Sequence, residues 1–251
     1  MPNSEYDYSA YHYSVTKIES LCSGLAPKKT TLQVATGFFF AYKGRVYLIT
    51  NRNIVIREDR DWYPDTLRFY YHTDKNDPKK IKYYNIPLYE ENQYKWLEHP
   101  DNNPKSENEI IDLVAIDISN IKDDFFDSSF LWTMSHIESY PEPTFDTPLS
   151  LLRFPLGFYD KKNHLPVVRG GYLASVYNVY FNDRPKFLVD IYTHPGSSGG
   201  PIFTQFGSSH IISGPLLGVF SGTTSNEYRD LRLGYVWYAK LIPEIIDHNL
   251  V

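Results

Sequence analysis

Apolar residues along this chain come in short runs broken by turn-forming residues, the pattern of strands rather than of long amphipathic helices. The run Thr31–Tyr42 meets Arg45–Thr50 across Lys43-Gly44, which predicts a hairpin. Asn51–Val55 then reads as one short helical turn. Thr66–His72 and Lys80–Pro87 alternate as strands around the polar loop Thr73–Lys79, and Ile110–Ile118 is an apolar strand with Asp112 near its start. Strands resume with Leu149–Phe154, Val167–Tyr177, a hairpin from Val179 to Tyr192 through Asn182-Asp183-Arg184, Ile211-Ile212, Leu216–Gly222 and Leu233–Ala239. Leu241, Ile242, Ile245 and Ile246 are spaced for a closing helix over Leu241–His248. Between the two sets of strands, Asp123–Pro148 carries Pro141, Pro143 and Pro148 and reads as a linker. The expectation is an all-β protein of two small barrels: an arm over 1–30, a first half over 31–125, a linker over 126–147, and a second half with its helix over 148–251. Within the arm, Met1–Ala10 reads as poorly ordered, Tyr13–Cys22 as a short helix or strand-like lead-in, and Ser23–Thr30 as a turn.

Composition supports this reading. Of 251 residues, 42% are hydrophobic and 16% aromatic, with 22 Tyr and 15 Phe, enough for a sizeable core and weighted towards strand formers. Cys22 is the sole cysteine, so no intrachain disulfide forms; this fits a cytoplasmic location. A net charge of −5 gives no reason to expect a nucleic-acid partner. The first residues are polar and tyrosine-rich, unlike a signal peptide, and no apolar run nears the ~20 residues of a membrane helix, so no membrane association is expected. The histidines and Cys22 lack metal-ligand spacing, and no glycine-rich loop opens a helix after a strand. Neither a metal nor another cofactor is expected.

The most informative stretch is His194-Pro195-Gly196-Ser197-Ser198-Gly199-Gly200-Pro201. Glycines on both sides of a serine permit a tight turn that exposes its hydroxyl and gathers backbone N–H groups at one spot. Taken alone, it could also be an ordinary glycine-rich loop. Other blocks occur in a telling order: Thr36-Gly37-Phe38-Phe39, Leu48–Val55, Asp112-Leu113-Val114-Ala115-Ile116, the Ser198 loop, and Leu217–Gly222. Together they resemble the trypsin/chymotrypsin-like serine proteases of the disulfide-free bacterial type. The resemblance implies two packed six-stranded-type β-barrels, a polypeptide substrate, and no cofactor. It implies that Ser198 is the nucleophile, that the N–H groups of Gly196 and Ser198 form the oxyanion hole, and that Asp112 orients the general base. Tyr192, Thr193, Ser221 and Gly222 would then contact substrate. Tyr192 is not acidic, so a preference for Lys or Arg is not supported.

One position departs from the family. Where the resemblance places the base histidine, directly after Thr50-Asn51-Arg52, this chain has Asn53. An amide cannot take a proton near neutral pH, although it can hydrogen-bond its neighbours. None of the eight histidines lies in that turn. Two readings follow: a serine endopeptidase impaired at its base, or a pseudoprotease that binds peptides or regulates another protein. A partner that regulates the chain or presents substrate is compatible with either.

Overall fold

A computed structural model of the chain describes residues 9–23, 30–91, 93–102, 110–124, 130–204, 214–223 and 231–250. The arm expected over the first residues lies almost wholly outside the described residues. So do most of the turn expected at Ser23–Thr30 and all of Ile211-Ile212. After a helical turn α1 (Ser9–Tyr13), the first half holds β1 (Val15–Ser23), β2 (Thr30–Tyr42), β3 (Arg45–Thr50), β4 (Thr66–His72) and β5 (Ile81–Pro87). It continues with the short strands β6 (Tyr89–Glu90), β7 (Gln93–Tyr94), β8 (Leu97–Glu98) and β9 (Val114–Asp117). The connection carries β10 (Trp132–Thr133) and α2 (Ser135–Glu138). The second half holds β11 (Leu149–Arg153), β12 (Val167–Leu173), β13 (Lys186–Asp190), β14 (Pro201–Phe203), β15 (Leu216–Thr223) and β16 (Leu233–Tyr238), followed by α3 (Leu241–Asn249).

The second half closes as a six-stranded barrel in the order β11-β12-β13-β16-β15-β14. Its interior is filled by Leu149, Leu151, Phe187, Val189, Ile202, Phe220 and Val236. Among the described residues the first half is a sheet running β5-β4-β1-β2-β3-β9-β8, with β10 beside β2, rather than a closed barrel. Ile86 and Leu88 from one end of that path share a core with Val114 and Ile116 from the other, so the sheet curls around one interior. A second cluster joins the halves, packing Phe38, Phe40 and Tyr47 with Leu152, Phe154, Phe203 and Trp237.

Of the two readings of Tyr13–Cys22, the strand is the one observed: Val15–Ser23 is an interior strand that pairs with both β2 and β4. Its buried Ile18 and Val15 give it a core face that a free arm would leave in water. The expected linker is in part structural: Trp132 is wholly buried and pairs in parallel with Phe40 of β2, its indole N–H donating to Ser14 Oγ at 3.1 Å. The strand expected from Ile110 begins only at Val114, because the backbone turns before it, with Leu113 N–H donating to Ile111 O at 2.9 Å. The C-terminal helix is as expected. It buries Leu241, Ile242, Ile245 and Ile246 and returns to the first half, where Asp247 meets Lys43 Nζ at 2.6 Å and Tyr42 OH at 3.0 Å.

Candidate active site

Of the residues singled out by sequence, Asn53, Asp112, Ser198 and Ser221 come together between the two halves. Asn53 lies in a one-turn helix, Arg52–Ile54, directly after β3. Arg52 anchors that turn: its guanidinium is buried and donates to both oxygens of Glu58, at 2.7 and 2.8 Å, and to Glu98 at 2.8 Å. Ser20 Oγ, from β1, donates to Ile54 O at 2.7 Å and ties down the end of the same turn.

The Arg52 hydrogen bonds hold the Glu58 carboxyl below its ordinary value of 4.5. The folded value therefore lies below the unfolded one. The clamp contributes stability above the unfolded value and loses it as pH falls through the folded one. Urea titrations across a pH series are expected to show a loss of stability below about pH 4.5 that is smaller in Glu58→Gln.

Asp112 precedes β9 on a segment held by Asn102, whose side chain accepts from Ile111 N–H at 2.8 Å and donates to Ile111 O at 3.0 Å. Asn51 Nδ2 donates to Asp112 O at 2.6 Å. The Asp112 carboxylate accepts three hydrogen bonds: Asn53 N–H to Oδ1 at 2.8 Å, Asn53 Nδ2 to Oδ2 at 2.7 Å, and Ser221 Oγ to Oδ2 at 2.6 Å. Desolvation pushes its pKa up; the hydrogen bonds from Ser221 and Asn53 and the charges of Arg52 and Arg57 act against that rise.

The Ser198 loop is set by backbone geometry. Gly196 and Gly199 have φ of 92° and 87°, and a Cβ on Gly199 would stand 2.0 Å from Thr36 O. Thr36 N–H donates to Ser198 O at 2.9 Å, and Gly199 N–H donates to Phe220 O at 2.8 Å. Ser198 Oγ donates to Ser221 O at 2.8 Å and makes no hydrogen bond to Asn53. A register shift between Phe220 and Gly222 falls at Ser221. Such a bulge re-aims a residue locally. Here Ser221 reaches Asp112 with its hydroxyl and Ser198 with its carbonyl. Asn53, Asp112, Ser221 and Ser198 are thus joined in one hydrogen-bonded chain.

The N–H groups of Gly196 and Ser198 have no acceptor among the described residues. Leu156 N–H donates to Pro195 O at 2.6 Å, which fixes the peptide plane that carries the Gly196 N–H. A cleft of ≈ 690 Å³ is bounded by Asn53, Gly196 and Ser198 together with Val34, Trp62 and Leu156. Tyr192 and Thr193 do not line that cleft. Tyr192 is exposed beside His194, with ring centroids 4.8 Å apart. Among the described residues, β15 past Phe220 pairs only with β16, so Gly222 and Thr223 lie beyond the last β14 partner. No histidine hydrogen-bonds Ser198 or Asp112 among the described residues; His99, buried, stands 3.4 Å from Glu244. No group of three or more His, Cys, Asp and Glu is arranged to hold a metal among the described residues. No helix there is long and apolar enough to cross a membrane.

Two supports were not identified from sequence. Thr36 Oγ1 donates to Gly196 O at 2.7 Å and accepts from Phe154 N–H at 3.0 Å, coupling the first half to the loop and to β11. Arg153, at the end of β11, is buried and donates to Ser197 Oγ at 2.8 Å. Neither bond had a local sequence signal, since each joins residues far apart in the chain. Thr36→Val keeps the shape but leaves Phe154 N–H and Gly196 O without this partner. Its expected cost is about 1–3 kcal/mol in urea unfolding.

The halves, their order and the position of the loop between them decide the architecture. The fold is chymotrypsin-like. No family model matches the chain, and no curated protein matches it. Solved structures do. The active form of the Rv3671c protease from M. tuberculosis superposes with a TM-score of 0.52 at 15% identity, over 95% of this chain and 82% of that one. An HtrA-type protease, AlgW, solved with a tripeptide, gives 0.56 at 14% identity over 95% of this chain. The chain spans 60% of that protein's length. At these identities the likeness is one of fold.

Proposed function

We propose that the chain is built as a serine endopeptidase whose cleft receives a polypeptide, and that hydrolysis is strongly impaired because Asn53 stands at the base position. The observation that carries this reading is the pair of bonds at Asp112 and Ser198. The orienting carboxylate is engaged by an amide at 2.7 Å, while the serine hydroxyl donates to a backbone carbonyl. In the uncrippled reaction the serine oxygen attacks the scissile carbonyl carbon as its proton passes to a base. The base then protonates the leaving amine as the C–N bond breaks, and water releases the acyl group by the same route. Asn53 can take no part in either proton transfer. The remaining parts suit the substrate: the Gly196 and Ser198 N–H groups, without an acceptor among the described residues, would receive the developing oxyanion, and Gly222-Thr223 would offer strand edge to an extended peptide.

The second reading, a peptide-binding or regulatory module, is favoured by one detail. With no base to pair with, Ser198 Oγ is satisfied by Ser221 O. Both readings share the peptide cleft and differ in whether the rest of the machinery still works. Cleavage of a peptide library by Asn53→His, with Asn53→His/Ser198→Ala as control, separates them. Serine-dependent cleavage supports the endopeptidase; retained peptide binding without cleavage supports the module.

A further inference from the structure

Around Tyr192, outside the cleft bounded by Trp62, the chain gathers positive charge that no carboxylate bridges among the described residues. The guanidinium of Arg169, from β12, lies 5.5 Å from the Tyr192 ring centroid and that of Arg232, at the start of β16, lies 5.1 Å from it. Arg169 Nε also donates to Tyr192 O at 3.3 Å. Behind them stands Arg153, only 4% exposed, bonded to Ser197 Oγ but with a buried Nε that has no partner. Burial and the nearby charge of Arg169 both disfavour its protonated state. None of the three makes an ion pair with a carboxylate among the described residues. Asp190 sits next to them on β13, with Leu233 as its Cα partner, yet it bridges to none of them.

Two other buried cations are paired with carboxylates: Arg52 meets Glu58 and Glu98, and Lys17 meets Glu19. A buried arginine left without a counter-charge is costly. That cost falls on Arg153 alone; Arg169 and Arg232 are exposed beside the exposed Tyr192 and present their guanidiniums to an incoming ligand. Arginine forks match carboxylates in a bidentate fashion, and an aromatic ring between two guanidiniums holds their planes in place. The patch begins six residues before Ser198, on the segment that leads into its loop, and is flanked by the end of β15 through the Thr223–Gly234 pair.

We propose that Arg169 and Arg232, backed by Arg153, form a carboxylate-binding subsite, and that the peptide cleft selects segments carrying an acidic side chain there. This rests on the peptide-cleft reading and adds the class of peptide. The site reads Glu or Asp by charge and fork geometry, so its neutral amide counterpart is discriminated against. Lysine at that position is repelled.

The test uses the intact chain. Labelled hexapeptides with amidated C-termini, each carrying Glu, Gln or Lys at one scanned position in an otherwise constant background, are titrated by fluorescence polarisation. One scanned position is expected to favour Glu over Gln by about tenfold, with a preference that weakens as salt rises. Arg169→Gln and Arg232→Gln are expected to abolish most of that preference and to leave the affinity for the Gln peptide within about twofold, which also shows that the variants are folded. Binding with no acidic preference, or a preference for Lys, overturns the subsite and leaves the cleft reading standing. A Glu preference that survives both substitutions also overturns it. Failure of every peptide to bind overturns the cleft reading and the subsite together.

Discussion

Asn53→His is expected to raise Ser198-dependent peptide hydrolysis by about four orders of magnitude, the loss typical when a triad base is removed. The surroundings for an imidazole are already present. Asp112 Oδ2 accepts a hydrogen bond from the Asn53 side chain at 2.7 Å, so a ring nitrogen starting from the same backbone has an oriented carboxylate waiting. Ser221 Oγ, at 2.6 Å from the same oxygen, keeps that carboxylate from rotating. The serine must leave Ser221 O to pair with the new base. Exchanging one such hydrogen bond costs about 1 kcal/mol. The rate gain corresponds to roughly 5–6 kcal/mol of barrier. The exchange is thus too small to prevent recovery. Steady-state cleavage of a broad peptide pool, compared with the Asn53→His/Ser198→Ala double variant, measures the effect.

Gly199→Ala is expected to be the most damaging single methyl in the site. The residue holds φ at 87°, a region an L side chain rarely occupies. Space is closed as well: a Cβ there would lie 2.0 Å from Thr36 O and 2.5 Å from Thr50 Oγ1. Thr50 Oγ1 also donates to Thr36 O at 2.8 Å, so the contact atoms are held and cannot swing aside. Strain and overlap together are expected to cost about 3–5 kcal/mol in urea unfolding. Gly222→Ala is the matched control. Its Cβ would meet nothing within 4 Å, and the stability change is expected within about 0.5–1 kcal/mol.

Much of the architecture could be read from local pattern. The Lys43-Gly44 turn has positive φ at both residues, as a two-residue hairpin requires, and pairs Tyr42 with Arg45 as the flanking runs suggested. Asn182 and Asp183 make the same kind of turn between Phe181 and Arg184. The loop around Ser198 was legible because glycine at a positive φ leaves a sequence mark. What stayed hidden depends on contacts between distant segments. Val15–Ser23 alternates weakly, so the sequence left a short helix and a strand both open there, and pairing with β2 and β4 decides for the strand. Trp132 looks like a stray aromatic in a proline-rich connection until its packing with Phe203 and Tyr11 is known. Thr36 and Arg153 act across separations of more than a hundred and about forty residues, where no periodicity reaches. Asn53, Asp112 and Ser198 were named from an ordered resemblance. The intermediary, Ser221, was named only for contact with substrate, because its link to both Asp112 and Ser198 arises from a bulge that the sequence does not announce.

The central claim is that this site lacks only its base. Labelling by a fluorophosphonate tests it without knowledge of any substrate, since the serine oxygen bonds to phosphorus, fluoride leaves, and the hydroxyl proton must go to a base. The measurement is the rate of adduct formation, with the modified residue located by peptide mass spectrometry, in the intact chain and in Asn53→His. The expected result is an adduct on Ser198 that forms at least about a thousandfold faster in Asn53→His. Equal rates in the two proteins, or an adduct at a residue other than Ser198, would contradict the account.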